Sequence, residues 1–309
     1  MRVGLIGLGN MGYRMAERLL DEGFQLIVYN RTRERALPLA ERGAEVASSP
    51  RELAYRADVI IDMVSDEAAV RNTLLSEDGA ITGARPGAVV VEMSTLYPQF
   101  VRELEEAARE RDIGLLDAPV LGSTTQAREG RLSIMVGGDE DVYERARPVL
   151  DALGSHRLVG PVGMGTAYKL VINAILISMV GVMAEGLALA EAMGVDPESA
   201  LEVMGEHPVG KAAGYYWRRM LDDSAPVRFA LRLAEKDMRY VLRTAADLVR
   251  ELPIMAEVQQ TFLRAKRLGL GDLDYSKVFR SLGDRSQRPP SSSRPFRPEG
   301  APSSTSSPP

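Results

Sequence analysis

The chain contains no cysteine. Disulfides, thiolate zinc sites and cysteine nucleophiles are thereby excluded, and no metal site is expected. Histidine is scarce: the 309 residues include only His156 and His207. An excess of positive charge is missing as well. The formal net charge is −5, which argues against a nucleic-acid surface. There is no long unbroken hydrophobic run. The longest apolar stretch, 170–184, is interrupted by Asn173 and Ser178, and it falls short of the ~20 residues of a membrane span. It reads as a buried helix. The opening Met1-Arg2-Val3-Gly4-Leu5-Ile6-Gly7 is too short an apolar run for a signal peptide. The expected setting is cytoplasmic, with no membrane and no nucleic-acid partner.

What is present is ordinary for a soluble globular protein: 45% apolar and 26% charged residues. Length predicts about two domains and a core large enough to need no staples. Strand-like and helix-like segments alternate at first. Val3–Ile6, Gln25–Tyr29, Val59–Val64 and Ala88–Met93 read as strands, with Gly114–Ala118 and Ser133–Val136 after them. Met11–Asp21, Arg33–Arg42, Val101–Glu110 and Asp139–Leu153 read as helices, the first two closing at Gly23 and Gly43. Apolar strands separated by helices predict a parallel sheet covered on both faces. Val59–Val64 is wholly apolar except for Asp62.

After Gly160 no strand pattern recurs. Gly163–Met193 reads as one long helix, apolar on nearly all sides and so buried between layers. Asp196-Pro197-Glu198 fits a cap, a first-turn proline and an acidic first turn. Helices follow at Glu198–Met204, Ala230–Val249 and Pro253–Leu268. The predicted fold is α/β: a doubly wound Rossmann sheet over 1–160, then an all-helical substrate and dimerisation domain over 161–283. Residues 284–309 are rich in Ser, Pro and Arg with almost no large apolar side chain. They cannot offset their ordering entropy by burial, and a disordered tail is expected.

Gly7-Leu8-Gly9-Asn10-Met11-Gly12 is a G-x-G-x-x-G. Six residues with three glycines mean little alone. Here they follow a strand and open a helix, which is the setting of a dinucleotide-binding turn. Gly7 permits the turn, Gly9 lets backbone approach a pyrophosphate, and Gly12 lets helix and strand pack closely. The helix N-terminus offers unpaired N–H groups to the phosphates. At the end of the second strand stand Asn30-Arg31-Thr32. An acidic residue here would bind the ribose 2′-hydroxyl of NAD. Asn30 does not repel a phosphate, Thr32 adds a hydroxyl, and the Arg31 guanidinium suits bidentate phosphate binding. NADP is preferred over NAD on this reading, the plainer alternative being a solvated charged loop.

At this point the sequence resembles the β-hydroxyacid dehydrogenase family, over about residues 1–280. The glycine turn is close to its G-L-G-x-M-G, and Met93-Ser94-Thr95 to its D-M-S-T. Asp117-Ala118-Pro119-Val120-Leu121-Gly122-Ser123 is close to D-A-P-V-S-G-G. The stretch from Gly163 and Gly165 to Lys169 and Asn173 is close to G-x-G-x-x-x-K-x-x-N-N, and Lys236-Asp237 follows on a late helix. The Asn30-Arg31-Thr32 turn and Gly122-Ser123 look most like the NADPH-using glyoxylate/succinic semialdehyde reductase branch.

Hydride transfer to or from a carbonyl needs a partner proton transfer at oxygen. Neither histidine suits: His156 lies in a Gly154–Arg157 stretch read as a loop, and His207 precedes Pro208, so both read as surface residues. Lys169 is the better candidate. It shares a helix face with Asn173 at i and i+4, and its apolar surroundings lower an amine pKa toward neutrality. A lysine snorkelling from a helix end is the plainer alternative. The resemblance implies that Lys169 donates or accepts the proton and that Asn173 orients Lys169 or the substrate. It implies that Gly122, Ser123 and Ser94 touch a small carboxylate or semialdehyde substrate. Val64, Ser65, Thr95 and Lys236 are implied to meet the cofactor. The implied reaction interconverts a 3-hydroxy acid and its semialdehyde with NAD(P).

Two positions depart from the pattern. Leu121 replaces the serine that binds the carboxylate, and only one asparagine of the N-N pair, Asn173, is present. The first points to a bulkier or less polar substrate. Tyr215, Tyr216, Trp217 and Phe229 can line such a pocket or serve as core. An imine reductase shares the architecture, but Lys169 argues against it. A non-catalytic NADP-binding module is the reading from another class, and loss of Lys169 would have signalled it. The long apolar helix predicts a homodimer or homotetramer packed through the helical domains.

Overall fold

The structure is a computed structural model that describes residues 1–205 and 207–282. The tail expected at 284–309 lies outside the described residues. The sheet strands are β1 (Arg2–Ile6), β2 (Gln25–Tyr29), β3 (Glu45–Val46), β4 (Val59–Asp62), β5 (Val89–Glu92), β6 (Gly114–Asp117), β7 (Val120–Leu121), β8 (Leu132–Gly137) and β9 (Gly154–Gly160). Their order is β3-β2-β1-β4-β5-β6-β8-β7, with β9 on the other side of β8. Strands β1 to β6 run parallel, and β8 opposes β6 and β7. Between β1 and β4 the chain direction across the sheet reverses. That switch point opens a crevice at the strands' carboxyl ends, where nucleotides bind in such folds.

Helices α1 (Asn10–Asp21), α2 (Leu37–Ala40), α3 (Pro50–Arg56), α4 (Glu67–Val70), α5 (Ala80–Gly83), α6 (Pro98–Arg109), α7 (Thr124–Glu129) and α8 (Glu140–Leu153) connect the strands. Alternation along the strands divides the core. Val3, Leu5, Ile61 and Val91 face α1 and α8, where Met15, Leu19 and Val149 meet them. Ile6, Ile60 and Val90 face α3 and α6, where Leu53, Phe100 and Leu104 pack. The second face also takes Leu170, Ala174 and Tyr240 from the helices that follow.

Those helices are α9 (Met164–Ala192), α10 (Pro197–Met204), α11 (Pro208–Leu221), α12 (Leu231–Asp247) and α13 (Pro253–Ala265). Ile177, Val180 and Leu187 of α9 pack with Trp217, Met238 and Phe262 in a core of their own. Among the described residues no strand follows Gly160; Ala230 and Asp274 form an isolated bridge.

Several local expectations are corrected. The stretch 154–157 is not a loop but the start of β9, paired in parallel with β8 from Leu132↔Gly154 onward. A half-exposed edge strand shows little apolar periodicity, so only tertiary pairing reveals it. His156 is not a surface residue: its ring lies between the Tyr143 hydroxyl at 2.7 Å and Asp151 Oδ1 at 2.8 Å, with the side chain only 7% exposed. His207 is exposed and caps α11 by accepting the Val209 N–H. The helix expected at Arg33–Arg42 is broken into a 3-10 turn at Arg33–Ala36 and the short α2. Pro38 is tolerated only in a first helical turn, so the helix restarts there.

Helix α9 is buried on one side only. Val171, Ile175, Val182 and Leu189 are 53–61% exposed. By length and composition α9 can cross a membrane, yet its other face is committed to the protein core.

Candidate functional site

The glycine turn joins β1 to α1 with the geometry that motif requires. Gly7 has φ +94°. A Cβ on Gly12 would stand 1.9 Å from the Gly7 carbonyl oxygen, so strand and helix touch there through backbone alone. A Cβ on Gly9 would meet nothing within 4 Å. This is the room a pyrophosphate needs, and α1 starts at Asn10 with no side chain capping its first N–H groups. Leu8 is fixed by its N–H to Asn30 Oδ1 at 2.9 Å, and Asn30 Nδ2 donates to Thr32 O at 2.8 Å. Asn30 therefore ties the glycine turn to the end of β2. Arg31, Thr32 and Arg33 stand exposed beside it, and neither arginine forms an ion pair among the described residues. The residues present fit an NAD(P) molecule lying across this crevice.

The far end of the crevice is formed by the loops after β4 and β5. Val64 and Ser65 lie just beyond β4, and Ser94 and Thr95 just beyond β5. The Val64 N–H donates to Ser94 Oγ at 3.0 Å, linking the loops. Lys236 reaches over from α12 and donates to Ser65 O at 3.0 Å and Thr95 O at 2.7 Å. It joins the helical half of the chain to the two loops at this end of the crevice.

Lys169 and Asn173 stand one helical turn apart on α9. The Lys169 ammonium donates to Val120 O at 2.9 Å. Burial pulls its pKa down to about 8, with the Asp237 carboxylate working against that and the Lys236 charge with it. Asn173 is not bonded to Lys169. Its Nδ2 donates to Asp237 Oδ2 at 2.7 Å, and Asp237 lies 3.1 Å from the Lys236 ammonium. The site thus holds two lysines and one buried carboxylate, with Asn173 fixing the carboxylate. Asp237 was visible in the sequence only as the neighbour of Lys236; its pairing with Asn173 spans 64 positions.

Helix α9 begins against the sheet itself. Asp117, at the end of β6, accepts the N–H of Gly163 at 2.7 Å and of Thr166 at 2.6 Å. A Cβ on Gly165 would lie 2.4 Å from Asp117 O and 2.5 Å from Met135 O. The D-A-P segment and the G-x-G before Lys169 are thus two sides of one contact, and it sets the height of Lys169 above the sheet.

Gly122 and Ser123 lead into α7. The Ser123 N–H and hydroxyl both donate to Gln126 Oε1, at 2.6 and 2.5 Å. Leu121 is half-buried and follows the carbonyl that holds Lys169. Of the four aromatics, Tyr216 and Trp217 are core: both are buried, and the Trp217 indole donates to Met183 O. Phe229 stacks edge-on against Tyr275, and the exposed Tyr215 accepts from Arg228.

Comparison with known proteins agrees with this geometry. Residues 2–165 match the NAD-binding domain of 6-phosphogluconate dehydrogenase, and 163–282 match the family described as NAD-binding of NADP-dependent 3-hydroxyisobutyrate dehydrogenase. Glyoxylate/succinic semialdehyde reductase 1 of Arabidopsis thaliana is 33% identical over 287 residues, covering 91% of this chain and 98% of that protein. The 3-sulfolactaldehyde reductase of Escherichia coli (strain K12) is 32% identical, covering 91% and 95%. The crystal structure of 3-hydroxyisobutyrate dehydrogenase from Salmonella typhimurium has a TM-score of 0.81 at 28% identity, covering 91% of this chain and 99% of that one. Fold and site define an NAD(P)-dependent oxidoreductase. The chain belongs to the β-hydroxyacid dehydrogenase family and interconverts a hydroxy acid and its semialdehyde, which sets aside the reading as a module without catalysis.

Proposed function

We propose that Lys169 is the acid–base residue of this reaction, that NADP is the preferred cofactor, and that the substrate is a short carboxylated semialdehyde whose body is less polar than glyoxylate. The observation that carries the first point is Lys169 itself: a half-buried amine with a pKa near 8, held beside Asn173 and Asp237. An amine titrating near neutrality can give a proton at one moment and take it back in the reverse reaction. The bound nicotinamide supplies or accepts the hydride. In reduction, the Lys169 ammonium gives its proton to the carbonyl oxygen as that oxygen gains charge. Asp237 favours the charged lysine between turnovers. Lys236 holds the two loops at which the ring end of the cofactor lies. Gly122 and Ser123 receive the substrate carboxylate, which takes the place of Gln126 Oε1 as acceptor of the Ser123 hydrogen bonds. Leu121 supplies an apolar wall where a serine would have given a further hydrogen bond.

The preference for NADP rests on Arg31 and Arg33, exposed and without ion pairs among the described residues, at the turn where the 2′-phosphate falls. Replacing Arg31 with aspartate removes a charge-assisted bond worth about 1.5–3 kcal/mol and adds repulsion. The KM for NADPH should then rise about 10- to 100-fold with that for NADH little changed. Steady-state kinetics with both cofactors checks this, and equal use of both by the wild type would remove the preference.

The exposed stripe on α9 supports a homo-oligomer packed through the helical half. Val171, Ile175, Val182 and Leu189 recur at spacings of four and seven, as in a helix that meets a second helix. The double substitution V171E/I175E should turn a wild-type particle of at least twice the chain mass into a monomer, read by light scattering. A wild type that is monomeric at micromolar concentration would contradict this.

A further inference from the structure

Three carboxyl groups lie side by side beneath the cofactor-facing loops. Strand register pairs Asp62 of β4 with Glu92 of β5, and Glu92 with Asp117 of β6. Strand alternation places all three on the same face of the sheet as Ile60, Val90 and Leu115, the face on which α9 and α12 dock. Each is at most 1% exposed. Adjacent strands lie about 4.8 Å apart, and neighbouring buried carboxylates at such a distance do not all ionise. Asp117 devotes its oxygens to the start of α9. Asp62 Oδ2 accepts from the Thr73 hydroxyl at 3.0 Å, and Glu92 Oε1 accepts the Ser94 N–H at 2.7 Å. The second oxygen of each, Asp62 Oδ1 and Glu92 Oε2, is buried without a hydrogen-bond partner among the described residues. Strand pairing sets the two carboxyls next to each other on one face of the sheet.

We infer that Asp62 and Glu92 share one proton, and that this proton positions the nicotinamide-end loops. The linkage is short. Glu92 holds the Ser94 N–H, the Ser94 hydroxyl holds the Val64 N–H, and Lys236 grips the carbonyls of Ser65 and Thr95 from the other side. Both loops therefore hang on Glu92, and Glu92 stays in place because the proton offsets repulsion from Asp62. The groups facing the pair are Thr73 from the turn after α4, Ser94 from the loop after β5, Asp117 from β6 and the Lys236 ammonium from α12; Ile6, the β1 neighbour of Asp62, carries no charge. Burial pushes Asp62 well above the usual carboxylate range and Glu92 to about 7, the Lys236 charge working against the latter. Both are positioning residues; neither is assigned a contact with substrate.

The consequence is a pH dependence of cofactor binding that is separate from the titration of Lys169. The inference rests on the site reading above for where the nicotinamide end lies, and its test is made on binding rather than turnover. NADPH affinity is measured by fluorescence titration from about pH 6 to about pH 10 with the full-length K169M protein, which removes the titrating lysine. Affinity should fall about tenfold or more as the pair loses its proton and the carboxylates repel. Asp62→Asn and Glu92→Gln, each added to K169M, put an amide N–H where the shared proton stands, and each should make affinity nearly independent of pH. A flat profile in K169M itself, or a slope retained in either folded double variant, overturns the inference. Loss of turnover in K169M with the slope intact would separate the role of Lys169 from that of the pair.

Discussion

Substituting methionine for Lys169 should lower kcat for semialdehyde reduction by about 10²- to 10⁴-fold, the usual worth of a positioned general acid. The KM for NADPH should hardly move, because Lys169 bonds Val120 O and not the loops gripped by Lys236. The wild-type pH profile carries the sign of the mechanism. With the ammonium as acid and a pKa of about 8, reduction holds steady at neutral pH and declines as pH rises through that value. Oxidation of the hydroxy acid needs the neutral amine, so its rate climbs over the same interval. The methionine variant loses both inflections. An arginine variant separates proton transfer from charge. Its guanidinium keeps the positive charge but does not give up a proton in this range, so it should stay as slow as the methionine variant. Recovery of activity with arginine would mean that Lys169 acts through charge alone.

How much of this was legible beforehand follows the reach of each interaction. The glycine turn is a local motif, and its strand, turn and helix lie within about twenty residues; it reads directly from sequence. Lys169 was legible because few other groups offer acid–base chemistry and because its helical neighbours are apolar. Contacts between distant segments were hidden. Nothing near Asn173 announces Asp237 on another helix. Nothing in Gly154–Arg157 announces pairing with β8. Ser123 reads as a substrate ligand, but its bonds to Gln126 emerge only with the start of α7. Asp62 is the intermediate case. A single acid in an otherwise apolar strand signals a buried charge needing compensation, but register is required to find Glu92 beside it. The exposed side of α9 was legible only as an expected oligomer face and not residue by residue: a helix with apolar residues all round looks the same whether its second face meets this chain or another.

The second large effect concerns Asp117, where fold and site share one side chain. Replacing it with alanine leaves the N–H groups of Gly163 and Thr166 without their acceptor. Buried unpaired groups cost about 1–3 kcal/mol each, so the loss is about 2–6 kcal/mol, and Tm should fall by roughly 5–20 °C. Activity should drop beyond the loss of folded protein. Lys169 follows Thr166 by less than one turn, and a shift of about 1 Å in a reacting group can cost about 100-fold. Asparagine is the informative control: its carbonyl satisfies one N–H while its amide opposes the other, so it should fall between wild type and alanine. The carboxyl also imposes a pH slope. Burial pushes the Asp117 pKa up to about 6, with the two N–H bonds acting in the opposite direction. A carboxyl raised in the folded state above its ordinary value near 4 binds its proton more tightly there than in the unfolded chain. Its contribution to stability is complete below that ordinary value and is lost as pH rises through about 6. Melting curves across this interval should show the slope in the wild type, after the common background is removed, and not in Asp117→Asn. An alanine variant that melts with the wild type would show that α9 starts where it does for other reasons, and the height of Lys169 would then have to be set by Gly165 and the sheet alone.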